Sequence, residues 1–289
     1  MSAELTPGLS PSVLEISGLC KSFGGVSVLS EFDLKVESAE RVALAILGQN
    51  GAGKTTLMNL VTRLIPYDKG SIEIFGHKTS QLSAKDLPSV GVARTFQTPR
   101  LLVEETTLDN VILGALARQD VSGRGRVKRA KEVAKEALEF VGLSSVANRY
   151  VKSLPFGNRK VVELARAWAM GPKVMLLDEP AAGLSNDEEK DLCKILAAIR
   201  DQGVALILIE HRMGLVAEVA KSVVMMDAGK VVFTGTPSEA LSSEVVRERY
   251  LGSGFEATSL LNGPKDAPLF HSELTSELTP EMTKEGERR

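Results

Sequence analysis

Apolar and polar residues alternate in residues 13–17 (VLEIS), 32–37 (FDLKVE) and 71–75 (SIEIF), the period of strands with one buried face. Residues 41–47 (RVALAIL), 173–177 (KVMLL) and 205–209 (ALILI) are instead short unbroken apolar runs, as in strands covered on both sides. Helical spacing predicts a helix from residue 54 to 65, stopped by Pro66, and another over 108–118. The spacing is clearest at 127–141, where Val127, Ala130, Val133, Ala134, Ala137, Leu138 and Val141 recur at i, i+3, i+4 and i+7 before Gly142. Residues 160–170 are apolar on more than one side, hence a buried helix, closed by Gly171-Pro172. Ser185 or Asn186 caps a further helix, with Asp187, Glu188 and Glu189 at its positive end and Gly203 after it. Residues 222–226 and 230–234 read as a hairpin over Asp227-Ala228-Gly229.

Strands alternating with helices imply a parallel sheet covered on both faces, with a small antiparallel sheet from the N-terminal strands beside it. Residues 92–102 leave a strand and break at Pro99, so residues 98–160 form a helical insert within a domain spanning 12–252. Residues 1–11 are expected to be loose. The tail 253–289, where Ser, Thr, Glu and Pro replace apolar residues, is expected to be largely disordered.

Composition narrows the function classes. A net charge of −2 offers no basic field to recruit nucleic acid, and the basic face formed by Lys128, Arg129, Lys131 and Lys135 is expected to be solvated. Two cysteines, Cys20 and Cys193, suit a reducing compartment and make no metal-type spacing. The first residues lack a signal-peptide pattern, and no apolar run approaches the ~20 residues that span a bilayer.

The chemistry centres on Gly48-Gln49-Asn50-Gly51-Ala52-Gly53-Lys54-Thr55-Thr56, which fits G-x-x-x-x-G-K-[ST] between a strand and a helix. Backbone N–H groups of such a loop curl around phosphate. Lys54 is placed to reach the β- and γ-phosphates, and the Thr55 hydroxyl to join Mg2+. A second element is the apolar strand ending in Asp178-Glu179. An aspartate there holds magnesium, and the next carboxylate orients or deprotonates the attacking water.

A third element is Leu154-Pro155-Phe156-Gly157-Asn158, followed by a basic pair and the helix ELARAWA, then LLDEP. Taken in this order, the three elements resemble the ATP-binding-cassette ATPases over residues 12–252. The resemblance implies an α/β fold with a RecA-like parallel core, an antiparallel β subdomain and an inserted helical subdomain. It implies that Phe23 stacks on adenine, that Gln97 touches magnesium and senses the transport partner, and that Leu154 to Asn158 form the signature loop facing a second subunit's ATP. Asp178 becomes the magnesium-side aspartate, Glu179 the catalytic base and His211 the γ-phosphate switch. Pro155, Phe156 and Asn158 depart from the usual leucine-serine-glycine-glycine-glutamine, and Ser185 stands where an aspartate is common.

The stretches GVARTFQTPRLL, ANRYVKSLPFGNRK, LLDEPAAGLS, LIEH and RERYLG look like ATPase subunits of branched-chain amino-acid importers and their relatives for amides and urea. That likeness implies ATP and Mg2+ as ligands, integral membrane permeases and a second cassette ATPase as partners, and an indirect link to a periplasmic binding protein. It also implies a peripheral place on the cytoplasmic face of the inner membrane. Lipopolysaccharide-extracting relatives share the GTP…RYLG ending, so the cargo stays open, as does the identity of the dimer partner.

Overall fold

The computed structural model describes residues 12–37 and 42–246, apart from the side chain of Val245. The expectations for residues 1–11, for Arg41 and for the chain beyond residue 246 lie outside the described residues. Strands β1 (Leu14–Phe23) and β2 (Val26–Val36) pair antiparallel. β3 (Ala43–Gly48) leads into helix α1 (Lys54–Val61), and β4 (Lys69–Ile74) and β5 (His77–Lys78) complete a four-stranded antiparallel sheet ordered β2-β1-β4-β5.

The chain continues through β6 (Val92–Arg94) into helices α2 (Thr107–Ala115), α3 (Arg126–Phe140) and α4 (Phe156–Ala169). Then come β7 (Val174–Asp178), α5 (Asn186–Asp201), β8 (Ala205–Ile209), α6 (Met213–Val219), β9 (Ser222–Asp227), β10 (Lys230–Gly235) and α7 (Pro237–Ser242). The second sheet has the order β10-β9-β3-β8-β7-β6 and is parallel except for the β9–β10 pair.

The unbroken apolar strands follow from two-sided burial. Ala43, Ala45 and Leu47 of β3 join one core with Leu206, Leu208 and the inner faces of α5 and α6. Leu44 and Ile46 join the other, with Ile207, Leu57 of α1 and the antiparallel sheet. Successive side chains point to opposite faces, so neither face tolerates polarity. A third core unites α2 and α3 with Val162, Ala165 and Ala169 of α4, while Leu164 and Ala167 of α4 face the sheet core. Helix α4 therefore joins the helical group to the sheet.

Several boundaries differ from the sequence expectation. Residues 20–25 belong mostly to a long hairpin turning at Gly24-Gly25, with φ 53° and 86°. Register shifts near Leu19, Lys21 and Ser22 mark bulges that scramble the period-2 pattern there. Helix α1 stops short of Pro66 because Arg63 takes a left-handed φ of 56°. The β9–β10 turn is two residues, Ala228 and Gly229, both at positive φ, as tight hairpins require. Helix α4 begins at Phe156, four residues earlier than expected. Pro155 sits at its N-cap, where a missing N–H is harmless.

Candidate nucleotide site

Gly48 ends β3 at φ 148°, and a Cβ there would meet the Met226 carbonyl at 2.3 Å, so only glycine fits. Gly51 and Gly53 have φ of 86° and 99°, and Gly53 is the N-cap of α1. Between them, Ala52 N–H donates to the Gln49 carbonyl at 3.2 Å, and the loop rolls over with Gln49 and Asn50 outward. Lys54 is buried and bends back so that Nζ donates to the carbonyls of Gly48 (2.6 Å) and Gln49 (2.8 Å). Burial pushes its pKa down, while the Glu179 and Asp178 carboxylates pull it upward. Thr55 is exposed and Thr56 half-buried in the first turn of α1.

Asp178 closes β7 in the interior, and burial raises its pKa against the opposing pull of Arg94. Arg94 Nη2 lies 3.3 Å from Asp178 Oδ2, and its Nη1 donates to the Thr62 hydroxyl at 2.6 Å. Thr62 donates in turn to the Met58 carbonyl at 2.7 Å, so β6, β7 and α1 are tied together behind the phosphate loop. Glu179 adopts a left-handed φ of 46°, a strained conformation for a non-glycine residue. Its N–H donates to Ile209 O at 3.0 Å, and its Oε2 accepts from Gln97 Nε2 at 2.6 Å. Strand β7 and the loop after β6 thus bring Gln97, Asp178 and Glu179 to one edge, beside Lys54.

His211 follows β8, with its side chain about half exposed and Nδ1 3.8 Å from Glu210 Oε2. Leu154 is buried and Pro155 caps α4; Phe156, Gly157 and Asn158 are its first turn rather than a free loop. A Cβ on Gly157 would meet Glu188 Oε1 at 2.1 Å, and one on Gly183 would meet the Phe156 ring at 2.9 Å. The turn therefore packs against the segment between β7 and α5. Phe23, about half exposed at the end of β1, lies under the Lys21 ammonium at 5.1 Å. The structure gathers the phosphate loop, Gln97, Asp178 and Glu179 at one centre, and places Phe23 and the α4 turn outside it.

Four site-supporting residues were not picked out from the sequence. Buried Glu210 accepts from the N–H groups of Ala181 (2.9 Å), His211 (2.8 Å) and Arg212 (3.0 Å). Lys160 and Glu163 are buried on α4, and Arg94 is nearly so. The available signal was a charged residue inside or directly after an apolar run, which needs a partner to be buried.

Comparison with known proteins decides the family. The ABC transporter family model matches residues 29–182, more than half of the chain. The chain belongs to that family. It is 34% identical to the high-affinity branched-chain amino acid transport ATP-binding protein BraF of Pseudomonas aeruginosa, over 84% of this chain and 99% of that protein. A lipopolysaccharide export system ATP-binding protein, LptB of Haemophilus influenzae, is 33% identical over 85% of this chain and 99% of its own length. Among solved structures, the ADP conformation of an ATP-binding cassette from an ABC transporter superposes with TM-score 0.72 at 27% identity, covering 84% of this chain and 99% of that one. The chain is thus an ABC transporter ATPase subunit with the fold expected of a cassette. Among the described residues, no helix is long and apolar enough to cross a membrane.

Proposed function

We propose that this ABC subunit hydrolyses ATP to drive uptake of branched-chain amino acids, or of related amino acids and amides, through partner permeases at the cytoplasmic face of the inner membrane. The observation that carries the ATPase part is the convergence of Lys54, Asp178, Glu179 and Gln97 at the end of β3 and β7. The importer part rests on the 34% identity to a branched-chain amino acid transport protein over almost its whole length. The similar identity to an export subunit favours a second reading, lipopolysaccharide-type export.

In the proposed site the loop from Gly48 to Thr56 wraps the phosphates, and Lys54 leaves its carbonyl partners for the β- and γ-phosphate oxygens. Thr55, Asp178 and Gln97 offer oxygen donors only, and no group of three His, Cys, Asp or Glu residues suited to a metal exists among the described residues. That sparse oxygen set fits Mg2+, which arrives with phosphates and would neutralise charge on them. Glu179 orients and deprotonates water, His211 faces the γ-phosphate and Phe23 stacks on adenine. Leu154 to Asn158 would face the ATP of a second cassette subunit, with Gly157 and the free N–H groups of the first turn of α4 toward phosphate. A periplasmic binding protein would deliver cargo to the permeases.

The test is to capture the tagged full-length chain from detergent-solubilised membranes and identify its companions. Permease subunits together with an amino-acid binding protein support the importer; permeases of a lipopolysaccharide extractor replace it with the second reading. Ribosomal or DNA-repair proteins without any permease would overturn both.

A further inference from the structure

Helix α4 carries two charged residues, Lys160 and Glu163, which are 6% and 2% exposed. Three positions apart, they share one face of the helix. Lys160 Nζ donates to the main-chain carbonyl of Glu179 at 2.8 Å. Glu163 Oε2 accepts from Phe96 N–H at 3.2 Å, and its Oε1 accepts from Arg100 N–H at 2.8 Å and from the Arg166 guanidinium at 3.4 Å. The two amides held by Glu163 bracket Gln97. The carbonyl held by Lys160 belongs to the residue whose carboxylate Gln97 touches, at 2.6 Å.

The contacts therefore close a ring. It runs from α4 through Lys160 to the main chain of Glu179, across the Glu179–Gln97 side-chain bond, along the loop to Glu163, and back to α4. Charge-assisted bonds to backbone groups are stronger than neutral ones, and in a buried setting they leave the held loop little freedom. Arg94 and Arg100 add to the clamp by lying over the Phe96 ring at 4.8 Å and 3.9 Å. Glu179 needs such support because its φ of 46° is costly. The first turn of the same helix is Phe156 to Asn158, so a displacement of that turn carries both anchors with it.

We propose that Lys160 and Glu163 are positioning residues that set Gln97 against Glu179 and make this pairing follow the movement of α4. The inference rests on the reading of Glu179 as the hydrolytic base, and its test separates the two.

The experiment uses the purified full-length chain and the variants Glu163→Gln, Lys160→Met and Lys160→Arg. Three quantities are read: amide hydrogen exchange in residues 95–101, affinity for a fluorescent ATP analogue, and kcat with KM. Glu163→Gln keeps the shape but presents one acceptor where two amides need one each. Exchange across 95–101 should rise about tenfold as the loop opens more often. ATP affinity and KM should stay within about twofold while kcat falls about tenfold, the split expected when orientation is lost and binding is not. Lys160→Met should lower kcat similarly, and Lys160→Arg should restore it. Wild-type exchange in Glu163→Gln would overturn the clamp, as would a loss in Lys160→Met that Lys160→Arg does not recover. If exchange rises as expected but Glu179→Gln turns over normally, the clamp on the loop stands and the base assignment is what fails.

Discussion

Strands β7 and β8 run side by side in register, from Val174 opposite Ala205 to Asp178 opposite Ile209, and each leads into a glutamate at its tip. The two tips are put to opposite uses. Glu210 after β8 is fully buried and fills its carboxylate with three main-chain N–H groups, from Ala181, His211 and Arg212. Glu179 after β7 is half-buried, and its carboxylate meets a side chain, Gln97, while its main-chain groups are held by Ile209 and Lys160. A carboxylate saturated by backbone is architecture, because exchanging those donors means unfolding a turn. One held by a rotatable amide, on a fixed main chain, is able to trade that partner for water. Adjacent acids thus differ in role through the kind of donor that surrounds them, not through their place in the sheet.

The comparison is broken most directly by exchanging the two acids for amides. Glu179→Gln should lower ATP turnover by about 10²–10⁴-fold, the range general-base catalysis supplies, while ATP still binds. A rate within tenfold of wild type in a steady-state ATPase assay would remove Glu179 from that role. Glu210→Gln should act on stability first. A glutamine there still accepts at one oxygen, but turns an NH₂ toward a buried N–H, a loss of about 2–3 kcal/mol by denaturant titration. Folded Glu210→Gln protein should keep most of its turnover. If instead Glu210→Gln abolished hydrolysis at unchanged stability, the division between a working tip and a structural tip would be wrong.

Much of this arrangement was legible in the residues. The phosphate loop, the acid-tipped strand and the two-sided burial of the parallel strands all leave local signals, because glycine geometry and apolar runs are properties of neighbouring positions. Pro155 hid the start of α4: a proline reads as a break, whereas at an N-cap it is compatible with the helix that follows. The β1 bulges hid a hairpin. The supports of the site left weaker traces, since Glu163 meets Phe96 and Arg100 more than sixty positions away, and Lys160 meets Glu179 nineteen away. A lone buried charge in a helix announces that a partner exists and says nothing of where.

The smallest effect lies in the segment that joins the β7 tip to α5. Ser185 caps α5: its hydroxyl accepts from Glu188 N–H at 3.4 Å, and Glu188 Oε2 accepts from Ser185 N–H at 2.8 Å. Glu188 is also the residue that a Cβ on Gly157 would strike, so the same capping box fixes the wall against which the first turn of α4 rests. Arg212, from the β8 side, holds the segment separately by donating to Leu184 O at 3.1 Å and pairing with Glu189 at 2.8 Å. Ser185→Ala should therefore cost about 1 kcal/mol, an ordinary cap loss, in thermal or denaturant unfolding. Ser185→Asp, an equally good cap, should cost less than about 0.5 kcal/mol. Because Arg212 still anchors the segment in both variants, the Glu179 main chain should stay in place and turnover should change little. A fall in turnover with Ser185→Ala that exceeds its loss of stability would mean that the β7 tip depends on its own helix cap more than on the clamp from β8, and the two tips would then be less independent than their donors suggest.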